Sequence, residues 1–226
     1  MTQIWNTLLF AHWPIAPDTL RPLVPSVLPL DTFERECWVG IVPFYMTYVR
    51  PRGFPATPRM SDFPELNVRT YVSVNGIPGV YFFSLDADNP IAVALARTIF
   101  HLPYYNATMA CKQREEAIHY RSHRTHRHAQ SGEFLATYRP IGPVFSAQRQ
   151  SLEYWLTERY CLYTTVRERV YRAHIHHQPW PLQRGELEME QNTMALASGI
   201  DLPETPPLLH YAQRQEVLTW PLQRVF

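Results

Sequence analysis

From Glu65 to Val74 the chain alternates, one residue up and one residue down. Glu65, Asn67, Arg69, Tyr71 and Ser73 project to one side of an extended strand, and Leu66, Val68, Thr70, Val72 and Val74 to the other, because strand side chains have a period of two. An acid, an amide, a cation and a phenol on one face are the groups needed to handle a small polar organic molecule. Arg69 can hold a carboxylate through a paired hydrogen-bond fork. Glu65 can transfer protons if burial raises its pKa. The same row also fits the water side of a one-sided sheet. The two readings differ only in what covers the row.

Tyr104 and Tyr105 are the next candidates. A buried phenol can donate a hydrogen bond to a carbonyl or oxyanion, or simply pack as an aromatic with its hydroxyl partnered. Successive strand residues face opposite ways, so at most one of the two lines a cavity. Arg97, on a helix, reads as a structural ion-pair partner for Asp86 or Glu65 and is kept as a ligand-binding candidate. Histidines gather as His119, His123, His126 and His128, and again as His174, His176 and His177. Neither group has a His-Glu-x-x-His pattern or a carboxylate at ligand spacing, so no metal site is assigned. His176, close to Pro179-Trp180, is the member kept as a ligand-binding candidate. Cys111 beside Lys112 reads as inert packing. No P-loop, Gly-x-Gly-x-x-Gly or Gly-x-Ser-x-Gly is present, so no nucleotide, hydride-transfer or serine-hydrolase chemistry is supported and no cofactor is expected.

These residues sit in a chain of 226, with 21 prolines and a net charge of +1, a length that suits a single domain. The charge gives no reason to expect a polyanionic partner. The basic stretch around His119–His128 is interrupted by Glu115 and Glu116 and matches no nucleic-acid-binding pattern. Cys37, Cys111 and Cys161 are widely spaced, which fits reduced thiols and a cytoplasmic protein. No stretch reads as a secretory signal or reaches the ~18 apolar residues of a membrane span. A small-molecule ligand is the expected partner.

Prolines throughout favour short strands over long helices. Strands are expected over Trp5–Trp13, Trp38–Val49, Glu65–Val74, Val80–Leu85, Tyr104–Tyr120, Glu133–Tyr138, Tyr160–Arg167, Val170–His176, Glu186–Gln191, Thr193–Ser198 and Leu209–Trp220. Pro43 marks an edge or a bulge, Arg50–Pro64 a loop, and Asn75-Gly76 a tight hairpin turn. Short helices are expected at Pro17–Leu20 and Ser151–Glu158. A longer one, Ile91–His101, opens on Asn89-Pro90 and is apolar around enough of its girth to be well buried. The sum is an α+β chain, mainly β, which spacing alone leaves as a sandwich or a barrel.

The segment FPELNVRTYVSVNGIPGVYFFSLDADNPIAVALARTIFHLPYYNA (Phe63–Ala107) resembles the core of the acetoacetate decarboxylase family. Glu65, the Asn75-Gly76 turn, Leu85-Asp86, Arg97 and Pro103 match its pattern, but Tyr104 and Tyr105 stand where that family has two lysines. LLFAHWPIAPDTLRPLVPSVLPLD (Leu8–Asp31) is similar to its opening strand and helix. Asn6 replaces an arginine, and a second acid expected near Trp38–Phe44 has no counterpart. SLEYWLTERYCLYT (Ser151–Thr164) and IHHQPWPLQ (Ile175–Gln183) instead resemble the uncharacterised YqjF-like family, a distant relative of the decarboxylases. The resemblance implies a cone-shaped antiparallel β-barrel or curved sheet with one central packed helix. It also implies a cavity site at Glu65, with Tyr104 at the position of the Schiff-base lysine.

Tyrosine cannot form a Schiff base, and Lys112 is the only lysine. It lies seven residues beyond Tyr105, over 20 Å along an extended strand at ~3.3 Å per residue. Incubation with acetoacetate and borohydride should therefore leave Lys112 unmodified by mass spectrometry. A stoichiometric adduct on Lys112, absent in Lys112→Ala, would restore the lysine mechanism.

Overall fold

The computed structural model describes residues 1–53, 55 and 61–225. Its strands are β1 (Thr2–Ile15), β2 (Cys37–Arg50), β3 (Phe63–Val74), β4 (Ile77–Ala87), β5 (Tyr104–Arg114), β6 (Ala117–Arg124), β7 (Glu133–Phe145), β8 (Cys161–Val166), β9 (Arg169–His176), β10 (Leu182–Asn192), β11 (Leu208–Thr219) and β12 (Gln223–Arg224). The helices are α1 (Pro17–Leu20), α2 (Pro90–Ile99) and α3 (Leu152–Thr157). The strands form one sheet in the order β12-β9-β8-β4-β3-β2-β1-β11-β10-β7-β6-β5.

Two further pairings, β4 with β5 and β9 with β11, close that sheet on itself twice. The first makes a large ring from β4 round to β5, and the second a smaller ring, β9-β8-β4-β3-β2-β1-β11. Strands β4, β3, β2, β1 and β11 belong to both rings, so both of their faces look inward. The large ring is packed solid by side chains such as Leu9, Ile41, Leu66, Val68, Met109 and Phe134. Its phenols are satisfied: Tyr138 donates to the Thr7 carbonyl at 2.8 Å and Tyr120 to the Glu65 carbonyl at 2.7 Å. The opposite faces of β1 and β2 send Leu8, Phe10, Val42 and Phe44 into the smaller ring.

Local sequence explains most of these elements. Asn75 and Gly76 both take positive φ, 54° and 74°, and join β3 to β4 as a primed hairpin turn does. Pro43 lies in an interior strand, where its missing N–H would ordinarily break a ladder. It faces an irregular stretch of β1 between Asn6 and Ala11, where Thr7 has φ 49°, so it marks a bulge and not an edge. Ser151 caps α3 by accepting the Tyr154 N–H at 3.2 Å. Asn89 caps α2 in the same way through Ala92, at 3.0 Å, with Pro90 in the first turn.

Three expectations are corrected. Tyr104–Tyr120 is a hairpin, β5 and β6, turning at Glu115 (φ 54°); polar residues continue through the turn and hide it. Thr193–Ser198 is a turn that ends in a 3-10 segment at Leu196–Ser198, with Gly199 left-handed behind it. Helix α2 is not well buried: Val93 is enclosed, but Ile91, Leu95 and Ile99 are 52%, 52% and 58% exposed. It crosses the open end of the smaller ring between β4 and β5, and so has a cavity mouth and not a core beneath it. Part of the expected Arg50–Pro64 loop lies outside the described residues. No helix among the described residues is long and apolar enough to cross a membrane.

The parallel contact of β4 with β8, Val80 against Leu162, closes one side of the smaller ring. Gly79 makes it possible, because a Cβ there would lie 2.7 Å from the Cys161 carbonyl oxygen and 2.7 Å from the Tyr163 ring. Backbone cannot yield as a side-chain tip does. Gly79→Ala should destabilise the protein by about 1–3 kcal/mol, read by chemical denaturation. An unchanged midpoint would show that the seam is loose.

Candidate functional site

The smaller ring is hollow. It encloses a cavity of about 660 Å³ whose polar wall is the row Glu65, Asn67 and Arg69 of β3. Phe44 of β2, opposite Glu65, Leu85 of β4, opposite Asn67, and Tyr104 of β5 complete this part of the wall, and α2 lies over that end because it follows β4 directly. The other face of β3 carries Leu66 and Val68 into the packed ring. The polar row is thus buried, and the solvent-facing reading of the alternation does not hold.

Glu65 is 3% exposed. Tyr104 donates its hydroxyl to Glu65 Oε2 at 2.8 Å, Asn67 also bonds the carboxyl, and Tyr120 holds the main-chain carbonyl. Burial pushes the carboxyl up to about 8, against the pull of both side-chain hydrogen bonds, because a low-dielectric site disfavours the charged form. Glu65 is therefore protonated at neutral pH. Burial and the adjacent Glu65 raise the Tyr104 phenol well above its usual value, so it acts as a donor and not as a base.

Further along the row the cavity is positive. Arg69 is 8% exposed; its guanidinium carbon lies 5.2 Å from the Phe10 ring centre and 5.8 Å from that of Tyr71. No acceptor among the described residues pairs it, and its Nε is buried without a partner. Arg159, just beyond α3, also lines the cavity. It donates to Asp31 at 2.5 Å and to the Trp155 carbonyl at 2.5 Å, while its Nη2 is buried and unpartnered. Of these two guanidinium groups only that of Arg159 has a carboxylate partner, Asp31. Asp86 gives the contrast: Arg124 grips it with two hydrogen bonds of 2.7 Å each.

The structure brings Glu65, Asn67, Arg69 and Tyr104 together on the cavity wall. Tyr71 stands behind it, fully buried, with its hydroxyl 2.7 Å from Nε2 of His12. Burial, then the positive charge of Arg69, holds His12 well below its usual pKa. Tyr105 faces away, under the guanidinium of Arg124 at 4.3 Å. Arg97 pairs with neither Asp86 nor Glu65: Arg124 already occupies Asp86, and Arg97 donates to the Tyr104 carbonyl at 2.6 Å from an exposed position outside the main cavity. His176 is exposed, and its neighbour His177 lines the cavity instead. A partial sign was available, since Ala173 and Ile175 are apolar residues of β9 and His177 continues their alternation. Arg159 was missed because it sits in no strand pattern. Lys112 is exposed, opposite His119, and does not line the cavity. Among the described residues no group of three or more His, Cys, Asp or Glu could hold a metal ion.

A doubly closed sheet around such a cavity is the acetoacetate decarboxylase-like fold. The chain is similar to the acetoacetate decarboxylase of Legionella pneumophila at 16% identity, covering 100% of this chain and 87% of that one, with a TM-score of 0.63. It is also similar to the enduracididine biosynthesis enzyme MppR with HEPES buffer bound, at 9% identity, 99% and 87% coverage and a TM-score of 0.68. Within this fold the chain belongs to the DUF2071 family, described as an uncharacterized conserved protein, whose pattern matches residues 2–216. The uncharacterized protein YqjF of Bacillus subtilis (strain 168) is 53% identical over 224 residues, 99% of this chain and 92% of that one.

The raised Glu65 pKa makes a signed prediction. Between the usual carboxyl value of 4.5 and about 8, the folded state holds a proton that the unfolded state has released. Stability from this group is complete below 4.5 and is lost as pH rises towards 8. His210, pulled down to about 4 by burial, acts in the opposite sense below 6.5. The window for Glu65 is therefore pH 6.5–8, where the lowered Met1 amine also acts in the opposite sense and cancels in the comparison of two proteins. There the wild type should lose about 1 kcal/mol per pH unit relative to Glu65→Gln, measured by denaturant titration. Parallel curves for the two proteins would mean that Glu65 is ionised in the fold.

Proposed function

We propose that the cavity binds a small organic acid bearing a carbonyl group and transforms it without a lysine Schiff base. The observation that carries this reading is Arg69, a buried guanidinium on a cavity wall with no acid of its own. A lone buried charge is costly unless something pairs it, and Glu65, neutral at pH 7, does not. The ligand carboxylate is assigned to Arg69 and Arg159 as a fork-like pair. The carbonyl is assigned to Glu65, which has a proton to give, while Tyr104 and Asn67 orient it. MppR, of the same fold, has been solved complexed with pyruvate. Tyr104 departs from the simplest scheme, because its own proton is already given to Glu65. That commitment favours a second reading, a non-catalytic binder in which the same groups recognise the acid but do not turn it over.

A thermal-shift series of keto acids and their methyl esters separates these readings from a purely structural role. The acids should raise the melting temperature and the esters should not. Arg69→Met should weaken acid binding by roughly 10- to 100-fold, and unchanged binding would overturn the anchor. Each acid that binds is then followed for turnover. Turnover lost in Glu65→Gln with binding kept identifies an enzyme, and binding with no turnover in the wild type identifies a binder.

A further inference from the structure

The cavity is far larger than its polar wall requires. At ~30 Å³ per water molecule, a volume of about 660 Å³ equals roughly twenty waters, and a four-carbon keto acid would fill only about a third of it. Much of the rest is bounded by apolar side chains, including Trp5, Phe44, Phe63 and Leu102, although Arg50 and Arg52 also line it. A short acid would leave these walls in contact with water.

The apolar surface continues out of the cavity onto α2. Ile91, Leu95 and Ile99 lie four residues apart and share one helix face. All three line the cavity, yet each is more than half exposed. Such a stripe ordinarily faces a core, and here it faces the cavity mouth. The charges are ordered along the same axis. Arg69 is four residues from Glu65 on β3, ~13 Å at the strand rise, on the side away from α2. Arg69 and Glu65 thus mark two levels of a cavity that the apolar stripe of α2 also lines.

We propose, building on the reading above, that the ligand is a monoanionic carboxylic acid with an extended apolar body of roughly ten or more non-hydrogen atoms. Its carboxylate lies between Arg69 and Arg159, and its apolar end lies under Ile91, Leu95 and Ile99. Burial of the tail covers both the cavity wall and the stripe on α2. A neutral Glu65 suits such a ligand, because an ionised carboxylate midway along the path would repel it.

The test is calorimetric titration with saturated monocarboxylates from butanoate to dodecanoate, below their micelle concentrations, beside the matching primary alcohols. Affinity should rise about three- to fourfold per methylene until the cavity is filled, and each acid should bind at least tenfold tighter than its alcohol. Leu95→Glu should abolish the gain over the last methylenes, so that dodecanoate binds no tighter than octanoate. Arg69→Met should remove the preference for acid over alcohol. Short acids that bind in an Arg69-dependent way with no dependence on length would overturn the extended-ligand inference and leave the acid-binding reading standing. Failure of every acid to bind, or binding of long acids and alcohols alike, would overturn both.

Discussion

A strand that alternates polar and apolar residues ordinarily gives the polar row to water. In β3 that row is enclosed, because the sheet closes on both sides of it: β5 returns to β4 around one face, and β8 with β9 returns to β11 around the other. Every property of the site follows from this double closure. It removes water from Glu65 and Arg69, whose side chains an open sheet would leave solvated. It leaves a cavity on one side only, because the large ring is filled by aromatic and aliphatic side chains and the smaller ring is not.

Desolvation then acts on each group according to its partners. Asp86 and Arg124 are both buried, and each satisfies the other through two short hydrogen bonds. Glu65 has two side-chain donors but no cation, and it stays protonated. Arg69 has aromatic faces but no acid beside it among the described residues. Aromatic rings soften the burial of a guanidinium but do not replace a hydrogen-bonding anion. This contrast within one molecule sets a satisfied ion pair beside an unpaired cation: Asp86 and Arg124 satisfy each other, and Arg69 has no acid partner among the described residues.

The fold is shared with acetoacetate decarboxylase-like proteins at 9–16% identity, and the position that the resemblance matches to a lysine holds Tyr104 here. Tyr104 enters the cavity through the parallel pairing of Leu85 with Tyr104, and its phenol bonds the glutamate. A phenol in that place gives Glu65 a fixed orientation in place of a nucleophile. The scaffold thus keeps a proton-bearing acid at one level of the cavity and a buried guanidinium at another, with a wide volume beside them. Shared architecture does not carry shared chemistry.

Sequence by itself determined what short-range physics controls. The primed turn at Asn75-Gly76, the Asn89-Pro90 and Ser151 caps, and the period-two rows of β3 are set by neighbours in the chain and appear where spacing predicts them. The grouping of Glu65, Asn67 and Arg69 on one face belongs to this class. Tertiary structure decided what faces those rows. Whether the β3 row met water or a cavity depended on strand pairings far apart in sequence, β4 with β8 and β9 with β11. The burial of α2 depended on its position over a mouth, which its own apolar residues could not reveal. The same holds for Arg159, which comes from a segment with no strand period, and for His177 over His176, where the closing strand β9 had to be placed before its inner face was known. Alternation fixes which residues share a side; only closure of the sheet fixes which side is inside.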